Sequence, residues 1–210
     1  MRRVALAMLL ALGFGQPARA EDCTKQVLEA FQKQRASKAF SVAMQQPSAE
    51  GMINLRVDYL PPDKMLQTVT SPAMPGEQQT MLVGNRAYAG SQGAFEELLP
   101  QFTQSIISEV KNALGDPGKE LGHFDCKGKA TFEGKEFVTF TALDAAAPKD
   151  TPADKVLART IYVDEATGLP MYNVVAQSGG KADPVVKASY AYPADLVIEE
   201  PKGAPMQKIR

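Results

Sequence analysis

The chain has no tryptophan, one histidine, two cysteines and no surplus of either charge, with 23 basic residues against 24 acidic ones in 210. Each scarcity removes a class of function. His123 stands alone, so no pair of histidines is available to grip a metal. Cys23 and Cys126 are too far apart in sequence for a Cys-x-x-Cys redox couple. No polybasic stretch offers a footprint for nucleic acid or an anionic membrane surface. There is no Gly-x-Ser-x-Gly elbow, and Gly84, Gly90 and Gly93 do not open a helix after a strand as a dinucleotide loop requires. Glu96-Glu97 and Glu199-Glu200 read as solvated charge. The expectation is a protein without catalytic residues, metal or cofactor.

The longest apolar run, Val4 to Phe14, is too short to span a bilayer. Arg2 and Arg3 precede it and Ala18-Arg19-Ala20 follows, the three-part layout of a cleaved secretory leader over residues 1–20. Ala20-Glu21-Asp22 before Cys23 is not the small apolar set that precedes a lipid-modified cysteine. A periplasmic chain with neither a lipid anchor nor stable membrane insertion is therefore expected. Loss of the leader removes three basic residues and no acid, taking the net charge from −1 to −4. In an oxidising compartment the even cysteine pair reads as one disulfide, Cys23–Cys126.

Periodicity organises the rest. Asp22 or Thr24 can cap a helix to about Ala36, with Val27, Leu28 and Phe31 on one stripe. From Phe40 the period changes to two. Ile53, Leu55, Val57 and Tyr59 alternate with Asn54, Arg56 and Asp58, which gives one dry face and one wet face. Pro61-Pro62-Asp63 turns the chain, and strands follow at Met65 to Thr70 and Gln79 to Val83. Phe95, Leu98, Leu99, Phe102, Ile106, Val110 and Leu114 recur at threes and fours. They predict a second helix that starts near Leu99, carries Pro100 in its first turn and stops at Gly115-Asp116-Pro117-Gly118. Further strands alternate with short turns to Tyr192, for about nine strands in all. Residues 21–200 form one domain and residues 201–210 a flexible tail. The fold class is α+β: a curved antiparallel sheet, open like a half-barrel, with helices covering its concave apolar face.

Several segments share features with one known group. Gly51-Met-Ile-Asn-Leu-Arg-Val-Asp-Tyr-Leu-Pro-Pro-Asp-Lys-Met65 resembles the strand, proline turn and strand of the outer-membrane lipoprotein carrier (LolA) superfamily. Gln79 to Val83, Gly84-Asn85 and Tyr88 follow in the same order as in that group. Ile161-Tyr-Val-Asp-Glu-Ala-Thr-Gly-Leu-Pro170 is similar to its aspartate-containing hairpin, and Tyr190-Ala-Tyr-Pro-Ala-Asp-Leu-Val-Ile-Glu-Glu-Pro201 to its closing strand and exit. The resemblance implies an eleven-stranded half-barrel with helices closing an apolar cavity that binds acyl chains in the envelope; related members include glycolipid carriers and a sigma-factor regulator's sensor domain (the RseB type). Lipoprotein carriers place an arginine before the proline that opens the second strand, whereas Pro61 stands before Pro62 here. The resemblance thus extends to fold and cavity and not to lipoprotein delivery.

The expected function is carriage of a lipid or acylated ligand, with an envelope protein as donor or acceptor. Strand parity and apolarity give Leu55, Val57, Tyr59, Met65, Met81, Val83, Phe140, Ile161 and Met171 as the cavity lining, and Phe102, Ile106 and Val110 as the lid helix's inner face. The alternative is an envelope interaction or stress-sensor module with a filled core, whose groove engages another protein.

Overall fold

The computed structural model describes residues 22–117, 122–180 and 183–208, so the expected leader lies outside the described residues. The chain begins with helix α1 (Thr24–Arg35) and then runs through six strands: β1 (Phe40–Ser48), β2 (Gly51–Leu60), β3 (Lys64–Ser71), β4 (Met74–Val83), β5 (Arg86–Ser91) and β6 (Ala94–Glu97). Helix α2 (Pro100–Leu114) leads to β7 (Asp125–Phe132), β8 (Lys135–Leu143), β9 (Leu157–Val163), β10 (Pro170–Gln177) and β11 (Val186–Ala191). The strands form one eleven-stranded sheet in the order β6-β5-β4-β3-β2-β1-β11-β10-β9-β8-β7, and every neighbouring pair is antiparallel. Two meanders thus meet where β11 pairs with β1. The edge strands are β6 and β7, the two that α2 connects, and they do not pair with each other, so the sheet stays open. This is the expected α+β architecture.

Local chemistry accounts for the element ends. Pro100 occupies the first turn of α2, where its missing N–H costs nothing, and Gly115 ends the helix. At the start of α1 the N-cap Cys23 makes no side-chain cap bond, and the expected Asp22 serves instead, its Oδ1 accepting the N–H of Thr24 at 3.0 Å, while Thr24 Oγ1 accepts the backbone N–H of Phe124 at 2.9 Å. Cys23 N donates to Phe124 O at 2.8 Å, so the helix is sewn to the chain entering β7. The Cys23–Cys126 disulfide closes the same junction, with Cα atoms 5.4 Å apart and a sequence separation of 103.

Two strands more than the periodicity predicts are present, which makes the eleven that the resemblance implies. β5 and β6 are short and glycine-punctuated, so their sequence reads as turns. Gly90 is required there: a Cβ would collide with the Ala94 carbonyl oxygen of the adjacent strand. The tail also differs from expectation. Glu97 N donates to Pro205 O and Gln207 N to Glu97 O, both at 2.8 Å, so residues 205–207 lie along the β6 edge. Upstream, Ile198 is buried against Met81 and Tyr88, and Lys64 Nζ donates to its carbonyl at 3.2 Å. A segment that satisfies an edge strand's backbone groups and buries an isoleucine is held in place.

The hairpin between β9 and β10 is built around Asp164. Its carboxylate accepts Thr167 N (2.9 Å), Thr167 Oγ1 (3.0 Å) and Lys135 Nζ (2.5 Å). The Lys135 ammonium first, then the Thr167 N–H, hold its pKa down to about 2 from an ordinary 3.8. A folded pKa below the unfolded one stabilises the protein above the unfolded value, and the gain disappears as pH falls through the folded one.

Two stability predictions follow. Replacing Asp164 with Ala is expected to lower unfolding free energy by about 1–2 kcal/mol at neutral pH, discounted for the exposed lysine. It should also flatten the pH dependence between about pH 4 and pH 2, read by urea melts across that range; an unchanged acid limb contradicts the assignment. Replacing Cys23 and Cys126 together by Ser is expected to cost about 4–5 kcal/mol, from loop closure over that separation, in the same assay.

Candidate ligand-binding face

The register sorts side chains onto two faces. Tyr59 stands opposite both Phe40 and Met65, Met65 opposite Leu82, and Leu82 opposite Ala87. Val57, Met65, Leu82 and Ala87 make a buried cluster with Val110 of α2, flanked by Leu55, Tyr59, Ile106, Ile107 and Leu114. Farther across the sheet, Phe140, Ile161 and Val163 cluster with Val27, Ala30 and Phe31 of α1, with Phe124 and with Cys23. The two helices therefore cover the two wings of one face. Between the wings runs β1, where Val42 and Met44 are half-buried and belong to neither cluster, while α1 reaches over β10 and packs on Tyr190 of β11. Arg35, at the end of α1, donates to the carbonyl of Gly115 just past α2, so the helices touch at their C-terminal ends.

The expected lining residues divide. Leu55, Val57, Tyr59 and Met65 lie under α2, and Phe140 and Ile161 under α1. Met81 and Val83 are on the other face. Leu66 stands opposite Met81 and Met81 opposite Tyr88, and both expected residues pack with Tyr88, Ile198 and Leu196. The reason is plain in the sequence: Met81-Leu82-Val83 is apolar throughout, so alternation cannot assign its parity. Met171 is half-buried at a register shift between Pro170 and Tyr172 and joins none of the three clusters. On α2, Val110 is buried and Ile106 half-buried, but Phe102 is 50 % exposed and Thr103 takes the inward position. The helix stripe thus runs one residue away from Phe102.

One polar residue on this face was missed. Arg159 lies two residues from Ile161 on β9 and therefore points to the same side. Strand parity alone contains that signal, since Leu157, Arg159, Ile161 and Val163 alternate with Ala158, Thr160 and Tyr162. Its Nε donates to Asn173 Oδ1 on β10 at 3.1 Å. Tyr190, on β11, sits edge-on to Phe31 with ring centroids 6.1 Å apart. Burial pushes its phenol pKa up, against the smaller opposing effects of the Asn173 hydrogen bond and the charges of Arg159 and Arg35.

Arg159 also lines a hollow of about 580 Å³ at the end of the sheet, with Ala142, Leu143, Leu157 and Val175 among its walls. Beside it, Leu143 is 62 % exposed, Val185 52 % and Val186 38 %. Val185 N donates to Val175 O, and Val186 pairs with Val175, so these apolar side chains flank the same end. Another hollow, of about 420 Å³ across β11, β1, β2, β3 and β4, has Gln45, Asn54, Arg56, Thr68, Glu77 and Lys187 in its wall beside Met44 and Leu55. Among the described residues no group of three or more His, Cys, Asp and Glu side chains could hold a metal ion, and no helix is long and apolar enough to cross a membrane. His123 is exposed, 3.5 Å from Asp22 and 3.6 Å from Asp125.

An open antiparallel half-barrel with two helices over one face is a fold shared with solved structures. LprF from Mycobacterium bovis is 14% identical, with a TM-score of 0.54 over 86% of this chain and 97% of that one. The lipoprotein LppX from Mycobacterium tuberculosis is 10% identical, with a TM-score of 0.53 over 84% of this chain and 97% of that one. A LolA superfamily protein from Nitrosomonas europaea is a more distant likeness, 10% identical at a TM-score of 0.34 over 83% and 94%. No family model matches the chain, and no curated protein matches it in sequence.

The assignment of faces is open to test. Leu82→Ala is expected to cost about 2–5 kcal/mol in a denaturant melt, because it empties a filled position beneath α2. Phe102→Ala should stay within about 0.5 kcal/mol of the parent. Equal costs would contradict this placement of the helix.

Proposed function

We propose that this chain is an extracytoplasmic binding protein for the acyl chain of a lipid or acylated ligand, held on the helix-covered face without covalent chemistry. Incomplete covering of that face carries the reading: apolar side chains remain half-buried or exposed beside and between the wings that α1 and α2 occupy. Leu55, Val57, Tyr59 and Met65 under α2, with Phe140 and Ile161 under α1, are the apolar surface a chain would reach when a helix lifts. Each methylene withdrawn from water contributes about 0.8 kcal/mol, so ten offset several kcal/mol of ordering cost. The disulfide favours an oxidising compartment. A cleaved leader over residues 1–20 would deliver the chain to the periplasm. The fold shared with LprF and LppX supports an envelope role.

Native mass spectrometry of the protein taken from periplasm tests this reading. A retained adduct of lipid mass, one per chain and lost on collisional activation, is expected. A bare chain that also fails to take up added fatty acid contradicts it. Stoichiometric recovery of another envelope protein in place of lipid would support the interaction-module alternative.

A further inference from the structure

The Arg159 guanidinium lies on the wrong side of the sheet for a surface charge. Its strand neighbours on that side are Leu157 and Ile161, it is half-buried, and among the described residues its one hydrogen bond runs from Nε to Asn173. Among the described residues no carboxylate comes within 4.0 Å of it, whereas Arg56 is paired with Asp58, and Arg86 with Glu97 and Glu200. The acids lining the same hollow are engaged elsewhere. Asp125 pairs with Lys127 at 3.2 Å, and Asp144 accepts the backbone N–H of Ala146 at 2.9 Å. A half-buried guanidinium with its two Nη groups unpartnered bears a desolvation cost that an anion would offset. The bond to Asn173 fixes the plane of the fork, and a fixed fork matches two oxygens of a carboxylate or phosphate.

We infer that Arg159 anchors the anionic headgroup of the bound amphiphile, so that the ligand is a fatty carboxylate or an acyl-chain phosphate and not a neutral lipid. This rests on the acyl-binding reading above. The roughly 580 Å³ hollow supplies room for the headgroup, and Ala142, Leu157 and Val175 lead from it toward the apolar face under α1. Exposed Val186, opposite Val175, adds apolar surface beside it. Charge and apolar wall together specify a molecule with one charged end.

Fluorescence titration with cis-parinaric acid and with its methyl ester separates the two ideas, with dodecyl phosphate and dodecanol as competitors. The parent protein is expected to bind the acid about tenfold more tightly than the ester, or to be displaced about tenfold more readily by dodecyl phosphate than by dodecanol. Whichever anion shows the preference identifies the headgroup. Arg159→Met should reduce that ratio to near one while leaving ester affinity within about twofold, which also reports an intact fold; Arg159→Lys should retain part of it. Equal binding of charged and neutral probes by the parent, a comparison that needs no variant, overturns the headgroup assignment and leaves acyl binding standing. A preference that survives in Arg159→Met overturns it too. Failure of every probe to bind overturns both.

Discussion

The structure depends on a mismatch between a large apolar sheet face and the small amount of helix available to cover it. Eleven strands of typical spacing and length present about 1,200 Å² on one face. Helices of 12 and 15 residues, each about 10 Å across, shade about 400 Å² of it. Curling the sheet around the helices reduces the deficit but does not remove it, because β6 and β7 do not pair and the barrel stays open. Half-buried Met44 and Val42 and exposed Val186 at the start of β11 are where this deficit shows.

The two helices are held unequally. α1 is fastened by the disulfide, by the Cys23–Phe124 backbone bond and by the Thr24 hydroxyl, all at one end. α2 is joined to the sheet by side-chain packing and by the Leu98–Ala87 backbone bond just before its start, and to α1 by the Arg35–Gly115 contact at its far end. Opening the face thus costs less at α2, whose local stability comes from replaceable apolar contact. In this account α1 is a fixed wall and α2 the part that yields to a ligand. Arg159 stands on the fixed side, where a headgroup anchor is useful.

Much of the architecture was legible from residue patterns. The alternation from Ile53 to Tyr59, Pro100 at a helix start and the lone cysteine pair each admit a single local solution, and each is found as expected. The failures have identifiable causes. β5 and β6 were hidden because Gly90 and Gly93 serve a close strand approach and a turn while looking like loop. Met81 and Val83 were misassigned because an unbroken apolar run has no parity, and only the pairing of Met65 with Leu82 resolves it. Phe102 was placed on the buried stripe because helical spacing tolerates a shift of one residue near an end. The tail was taken as loose because its anchoring groups are backbone atoms of residues 205–207, which no side-chain pattern reveals. Arg159 is the instructive omission: its parity was readable, but a charged residue is not sought on an apolar face.

The methionine methyl groups give the most direct test of the central claim, because they sample both faces. Met44 and Met65 lie on the helix side of the sheet, and Met81 lies on the other. With methyl-labelled methionine, titration with oleate followed by NMR should shift the Met44 and Met65 signals and leave Met81 in place. Shifts confined to Met81, or none at saturating oleate, would show that the helix-covered face does not hold the chain.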